Sequence, residues 1–262
     1  MEAKDILFRC SGLGLIMSEP QSKADKDAGN LGETVKTHLV DIYVSNMYNR
    51  FTEINSSILS KGNEVEEDAI TTVSRKLKKV FKKNEKHLSN SYIKGTPDLF
   101  EGESIEKADV IRDTKSSWNA FTFFRAKNKA LIKNYYWQGQ GYMELTGAKT
   151  CFFDYCLINT PYHIVEGELR RESYNHAEGN TPSWVELQII ANHVYDLKTF
   201  DEYSQRRGIF DIDDNCRYIR AGFVEIPLAD RHFSIEIKYD AEAIEKLYKR
   251  IEKCKEYLET NF

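Results

Sequence analysis

Residues 95–115 read GTPDLFEGESIEKADVIRDTK, and the fold turns on how this stretch is paired. Tyr92-Ile93 runs extended into a Gly95-Thr96-Pro97 turn, and Ala108 to Lys115 reads as a second strand, so the spacing predicts a hairpin. Alternate side chains of an extended chain share a face, which puts Asp113 and Lys115 on one side of the second strand. Pairing of the hairpin then brings Asp98, at the end of the first strand, to the same place. Two carboxylates converging with one lysine are what metal-dependent phosphodiester hydrolysis requires. Carboxylate oxygens suit Mg²⁺, the ion acidifies water and neutralises charge growing on phosphorus, and the ammonium orients or deprotonates the attacking water. The bland alternative is a proline turn followed by a surface ion pair, and the short motif alone does not decide between them.

Working outward, residues 30–48 place Val35, Leu39, Ile42, Tyr43 and Met47 at helical spacing behind Asn30 as a cap. A second helix is expected over 62–82, with Val65, Ala69, Val73, Leu77 and Val80 on one face. Its acids (Glu64, Glu66, Glu67, Asp68) come first and its lysines last, which suits the helix dipole. Residues 129–146 return to helical character and carry Gln138 and Tyr142 four apart on one face. TCFFDYCLIN at 150–159 is expected to be a buried central strand. Residues 162–215 read as polar and irregular apart from a helix near 184–196. HFSIEIKY at 232–239 alternates as a half-exposed strand, and 241–259 closes with Ile244, Leu247, Tyr248, Ile251, Cys254 and Leu258 at helical spacing.

The 262 residues are 41% hydrophobic and 30% charged, which fits a globular chain and excludes collagen, coiled coil and disorder. No apolar run is long enough to span a membrane, and the start, MEAKDILFRCSGLGLIMSEP, is too acidic and too short in apolar core for a secretory signal. A cytoplasmic protein is expected. Cys10, Cys151, Cys156, Cys216 and Cys254 are scattered, without a CxxC pair, and read as buried free thiols. The six histidines are not spaced as zinc ligands. A net charge of −4 excludes a protein that coats nucleic acid through bulk positive charge. Yet residues 75–86 hold seven bases and one acid, a candidate track for a phosphate backbone. A second basic group, Arg125, Lys127, Lys129 and Lys133, lies among Trp118, Phe121, Phe123, Phe124, Tyr135, Tyr136 and Trp137, which either stack on bases or pack in the core.

Taken in order, Gly62-x-x-x-Glu66, Gly95-Thr96-Pro97-Asp98, Asp113-Thr114-Lys115 and Gln138-x-x-x-Tyr142 resemble the motifs of the PD-(D/E)xK nucleases. The resemblance is to the YqaJ-type viral recombinase branch that includes bacteriophage lambda exonuclease. It spans roughly residues 8–160, is compatible with the last strand and helix, and does not cover 162–215. It implies an α/β (α+β) fold, a central mixed β-sheet flanked by helices, in one domain over 1–262 with a polar insert after the core. It implies that Asp98 and Asp113 bind Mg²⁺ or Mn²⁺ with the Thr114 carbonyl, that Glu66 reaches the ion directly or through water, and that Lys115 is the catalytic lysine. Gln138 and Tyr142 match the motif that contacts substrate backbone and braces the lysine. Arg9 and Ser11 match the segment that grips a 5′ phosphate. The second-motif acid is Asp113 where Glu is common in the branch, and the separation of Asp98 from Asp113 is longer than in the lambda enzyme, consistent with a longer hairpin tip at 100–107. The implied activity is digestion of linear double-stranded DNA from 5′ ends, leaving 3′ single strands for an annealing partner, by a ring-shaped homo-oligomer. An endonuclease on the same core, or an inactive DNA-binding module, is the alternative.

Overall fold

Thr150–Cys156, with aromatic and apolar side chains on both faces, forms a strand at the middle of the principal sheet. The computed structural model describes residues 5–52, 56–129, 133–176 and 181–262. Its elements run β1 (Phe8–Arg9), α1 (Leu13–Ile16), α2 (Lys23–Asp27), α3 (Glu33–Tyr48), α4 (Ser57–Glu64), α5 (Glu66–Leu77), β2 (Leu88–Ser89), β3 (Ile93–Gly95), β4 (Leu99–Gly102), β5 (Ala108–Ser116), α6 (Ala120–Lys127), α7 (Lys133–Thr146) and β6 (Thr150–Cys156). After β6 come α8 (Tyr162–Asn175), α9 (Ser183–His193), α10 (Leu197–Arg207), α11 (Asp214–Ala221), β7 (His232–Lys238) and α12 (Ala241–Asn261).

The principal sheet has the order β4-β5-β6-β7. β5 and β6 run parallel, with Asp113 level with Phe153 and Thr114 level with Asp154, while β4 and β7 are antiparallel to their neighbours. Period-two alternation therefore separates two faces. One carries Ile111, Asp113, Lys115, Phe153 and Tyr155 and shares the main apolar core with α7. The other carries Arg112, Thr114, Asp154 and Cys156, and α5 packs there through Ala69, Ile70 and Val73. A small sheet of order β1-β3-β2 stands apart from the principal one.

Three expectations need correction. The predicted hairpin partner of β5 is not the Tyr92-Ile93 segment but β4, because β3 is paired parallel to β1 and antiparallel to β2. The helix expected over 62–82 is broken at Val65, outside helical geometry, and ends at Leu77, where Lys78 takes a left-handed conformation with φ 53°. Val80 is consequently exposed rather than on an apolar face. The segment 162–215, read as irregular apart from one helix, is largely helical, and Val165, Leu169, Leu187, Ile190, Phe200 and Ile209 belong to a second apolar cluster. Its charged residues lie outside that cluster, which diluted the helical signal. The helix expected over 129–146 is seen as α7 from Lys133, and residues 130–132 lie outside the described ones. All five cysteines are free and buried.

Candidate active site

Asp98 stands one residue before β4, and the pairing of Leu99 with Arg112 lays it beside β5. The Thr114 N–H and hydroxyl both donate to Asp98 Oδ2, at 2.7 and 3.0 Å. A strand residue presents its N–H and C=O to the same side, so the Thr114 carbonyl also faces Asp98, beyond the end of the β4 pairing. The turn is held from outside by Asn84, a buried residue that no motif marks. Its N–H donates to the Asp98 carbonyl at 2.7 Å, its side-chain amide to the Pro97 carbonyl at 2.9 Å, and its Oδ1 accepts from the Lys86 N–H at 3.1 Å.

Asp113 is only 2% exposed. Its Oδ1 accepts from Gln138 Nε2 at 3.3 Å, while the buried Oδ2 meets Lys115 Nζ as an ion pair without the alignment of a hydrogen bond. Burial holds the Asp113 carboxyl above its usual range, and the Lys115 charge offsets this only in part. Burial and then the charge of Asp113 push Asp98 up to about 7. Burial works against the Lys115 ammonium, but the charge and contact of Asp113 outweigh it, so its pKa lies above the ordinary lysine value. The ammonium also sits 4.9 Å from the ring centre of Tyr135 and 5.5 Å from that of Phe153, within cation–π range.

Gln138 and Tyr142 reach this centre because the helix carrying them comes very close to its neighbours. A Cβ on Gly139 would lie 2.2 Å from Ile237 Cδ1, and one on Gly141 would lie 2.9 Å from Cys10 Sγ. Only glycine lets α7 approach both surfaces so nearly. Gln138 Nε2 bridges, donating to Tyr142 Oη at 3.0 Å as well as to Asp113, so among the described residues its contact goes to the acid and not to Lys115. Burial raises the Tyr142 phenol well above its ordinary pKa, and it stays protonated.

Glu66 opens α5, and Lys83 Nζ donates to its Oε2 at 2.6 Å. Arg9 and Ser11 are brought near the centre, lining a cavity of about 360 Å³ with Cys10, His87, Lys94 and Tyr142. The structure thus joins Asp98 to Thr114, and Asp113 to Lys115 and, through Gln138, to Tyr142, on adjacent residues of β5, and sets Glu66, Arg9 and Ser11 at their margin.

The chain matches no family model and no curated protein. Among solved structures it is similar to a phage related exonuclease from Haemophilus somnus 129PT, with 25% identity, TM-score 0.69, and coverage of 98% of this chain and 95% of that one. The chain shares the fold of the phage-related exonucleases. It is also similar to the alkaline exonuclease LHK-Exo from Laribacter hongkongensis, at 13% identity and TM-score 0.57, covering 98% of this chain and 90% of that one. LHK-Exo has also been solved in complex with dAMP. The resemblance to PD-(D/E)xK nucleases and the mixed sheet flanked by helices, both expected from the motifs, are borne out by this fold.

On the exonuclease fold, the basic run at 75–86 is less open than its composition suggests. Lys79 pairs with Glu101, Lys83 with Glu66 and Lys86 with Glu106, while Lys76 Nζ donates to the Ala229 carbonyl at 3.0 Å. Arg75, Lys78 and Lys82 make no ion pair among the described residues and are exposed. The aromatic set divides in the same way. Phe123 and Trp137 are core, Tyr135 stacks on Phe153 and covers Lys115, and Phe121 and Phe124 face solvent on α6 beside the exposed Arg125 and Lys127.

Among the described residues, no three His, Cys, Asp or Glu side chains are grouped as a ready cation site. Asp98 and Asp113 nevertheless fit a hard divalent ion. Both offer oxygen, and Asp113 Oδ2 is a buried acceptor with no aligned donor. Mg²⁺ is ordinarily held by one or two carboxylates together with water and substrate phosphate, so two convergent acids suffice. The third acid, Glu66, is engaged by Lys83.

Among the described residues, no helix is long and apolar enough to cross a membrane.

Proposed function

We propose that the chain is a DNA exonuclease dependent on Mg²⁺ or Mn²⁺, acting on linear double-stranded DNA from the 5′ end and leaving 3′ single-stranded tails. The observation that carries this reading is the buried Asp113–Lys115 ion pair beside Asp98, which is hydrogen-bonded to the intervening Thr114, on a fold shared with a phage related exonuclease. Asp98, Asp113 and the Thr114 carbonyl would hold the ion, with Glu66 joining directly or through water. The ion supplies Lewis acidity and neutralises charge on the scissile phosphate. Lys115 enters as an ammonium, and its part is to orient the attacking water and stabilise the charge that develops beside Asp113. Gln138 and Tyr142 keep Asp113 in place, and Tyr142, on the wall of the Arg9 cavity, links the metal acids to the side where a 5′ phosphate would be gripped by Arg9 and Ser11. The wider role proposed is recombination with a single-strand annealing protein, the subunits closing as a ring around duplex.

The experiment is nucleotide release with Mg²⁺ from linear duplex, compared with closed circular DNA. Mononucleotides from the linear form and an intact circle are the expected result. Cleavage of the circle would make the chain an endonuclease, and inertness on every linear end would remove the nuclease reading.

The raised Asp98 carboxyl gives a pH dependence with a definite sign. Below its pKa of about 7 the metal-free centre carries a proton that a bound cation must expel. Mn²⁺ affinity should therefore fall about 3- to 10-fold on moving from about pH 8 to about pH 6. Without metal, a carboxyl raised on folding makes the native state bind more protons than the unfolded chain, so this group's contribution to stability declines as pH rises from the ordinary carboxylate range through about 7. Calorimetric titration at several pH values checks the affinity, and a flat profile would contradict the assignment of Asp98 as a ligand.

A further inference from the structure

Lys83 belongs to the acidic centre although no motif marks it. It follows the left-handed break at Lys78 and directly precedes Asn84, whose hydrogen bonds tie this segment to Pro97, Asp98 and Lys86. Its location beside the centre is therefore set by the same anchor that sets Asp98. The Lys83 ammonium donates to Glu66 Oε2 at 2.6 Å, and the charges of Asp98 and Glu67 surround it as well. Lys115 is committed to Asp113 on the inner side. Each of these two acids thus has a lysine of its own.

We propose that Lys83 is the resident counter-ion of the metal site, holding Glu66 until a divalent cation displaces it. The inference rests on the metal reading of Asp98, Asp113 and Glu66 given above. Two features of the pair suit displacement. Lysine is a point charge on a flexible four-carbon stem, so its ammonium leaves without backbone movement. The pair is also partly exposed, at 39% for Lys83 and 23% for Glu66, where an ion pair binds weakly and a doubly charged ion competes well. While Lys83 stays on Glu66, that acid is not open to an ion, in keeping with the absence of a ready three-acid group among the described residues. Metal affinity is then reduced by the fraction of molecules in which the pair is closed.

The test is calorimetric titration of Mn²⁺ into the full chain without DNA, for wild type, Lys83→Met, Glu66→Gln and the double variant. Lys83→Met should bind Mn²⁺ about 3- to 10-fold more tightly than wild type. In the Glu66→Gln background the same substitution should change affinity by less than about twofold, because the competition runs through Glu66. Unchanged or weaker binding by Lys83→Met overturns the proposal. So does equal tightening in both backgrounds, which would be a plain charge effect. If Lys83→Met does not fold, Lys83→Gln carries the same expectation. A wild type that binds no Mn²⁺ would overturn the metal-site reading itself, and this inference with it.

Discussion

Lys115→Ala should lower nucleotide release from linear duplex by about 10²- to 10⁴-fold, with Asp113→Asn falling in the same range. Lys115 is held by Asp113 on one side and by the faces of Tyr135 and Phe153 on the other, so its charge is fixed rather than sampled. A positioned charge in a water-poor site needs no reorganisation at the moment of reaction, which is why its loss is expected to be large. Alanine also removes the charge facing the buried Asp113 Oδ2, so that carboxyl rises further. Asp113→Asn keeps the shape and the Gln138 contact but removes the anionic oxygen, so it separates lost charge from lost packing. Steady-state release in saturating Mg²⁺, with thermal unfolding run alongside, makes the comparison. If both variants kept more than about a tenth of wild-type rate, the role given to this pair would be wrong.

The largest effect on stability should come from the opposite face of the same strands. Asp154 is fully buried and accepts from Arg112 Nη1 at 2.9 Å, from His232 Nε2 at 2.9 Å and from the Ser234 hydroxyl. Arg112 is further engaged by Glu101 at 3.1 Å and lies 4.3 Å from the ring centre of Phe152. Asp154→Ala leaves this guanidinium buried without its main partner, and a broken buried pair of this kind costs about 3–5 kcal/mol. Burial alone would raise the Asp154 carboxyl, but the His232 bond, the Arg112 charge and the Ser234 bond outweigh it and hold the pKa below the usual value. A depressed carboxyl stabilises the fold above its unfolded pKa, and that contribution is lost as pH falls through the folded value. Urea denaturation of wild type and variant at neutral pH measures the difference, and a cost under about 1 kcal/mol would mean that the network does not hold the sheet.

The candidate-site half of the sheet is legible in the sequence because its signals are local. Asp113 and Lys115 share a face by the geometry of any strand, and Gln138 with Tyr142 by that of any helix. Asp98 was placed correctly beside them, although its strand partner was misread. β3 and β4 are separated by three residues only, and nothing local tells which of the two pairs with β5. The roles of Asn84 and Lys83 escape a local reading because they lie in a run whose composition points to a basic track for a phosphate backbone. Their roles come from long-range contacts to Pro97, Asp98 and Glu66. The same contacts explain why the basic run is not a uniform track: three of its lysines answer acids that are distant in sequence. In 162–215 the apolar residues that make the second cluster are thinly spread among charges, so the helices were readable only once packed together.

The two-faced character of β5 has a consequence for how this gene can change. Arg112 and Thr114 alternate with Asp113 and Lys115, and each pair serves a different side of one sheet. Adding a single codon between 110 and 111 would exchange the sides downstream of it, burying Lys115 against α5 and turning Arg112 toward α7. The tip at 103–104, ahead of the short turn Ile105–Lys107 whose Ile105 is anchored in the core, carries no such parity. Insertions there lengthen the tip without shifting the phase of the strand, which makes it a natural place for length drift among relatives.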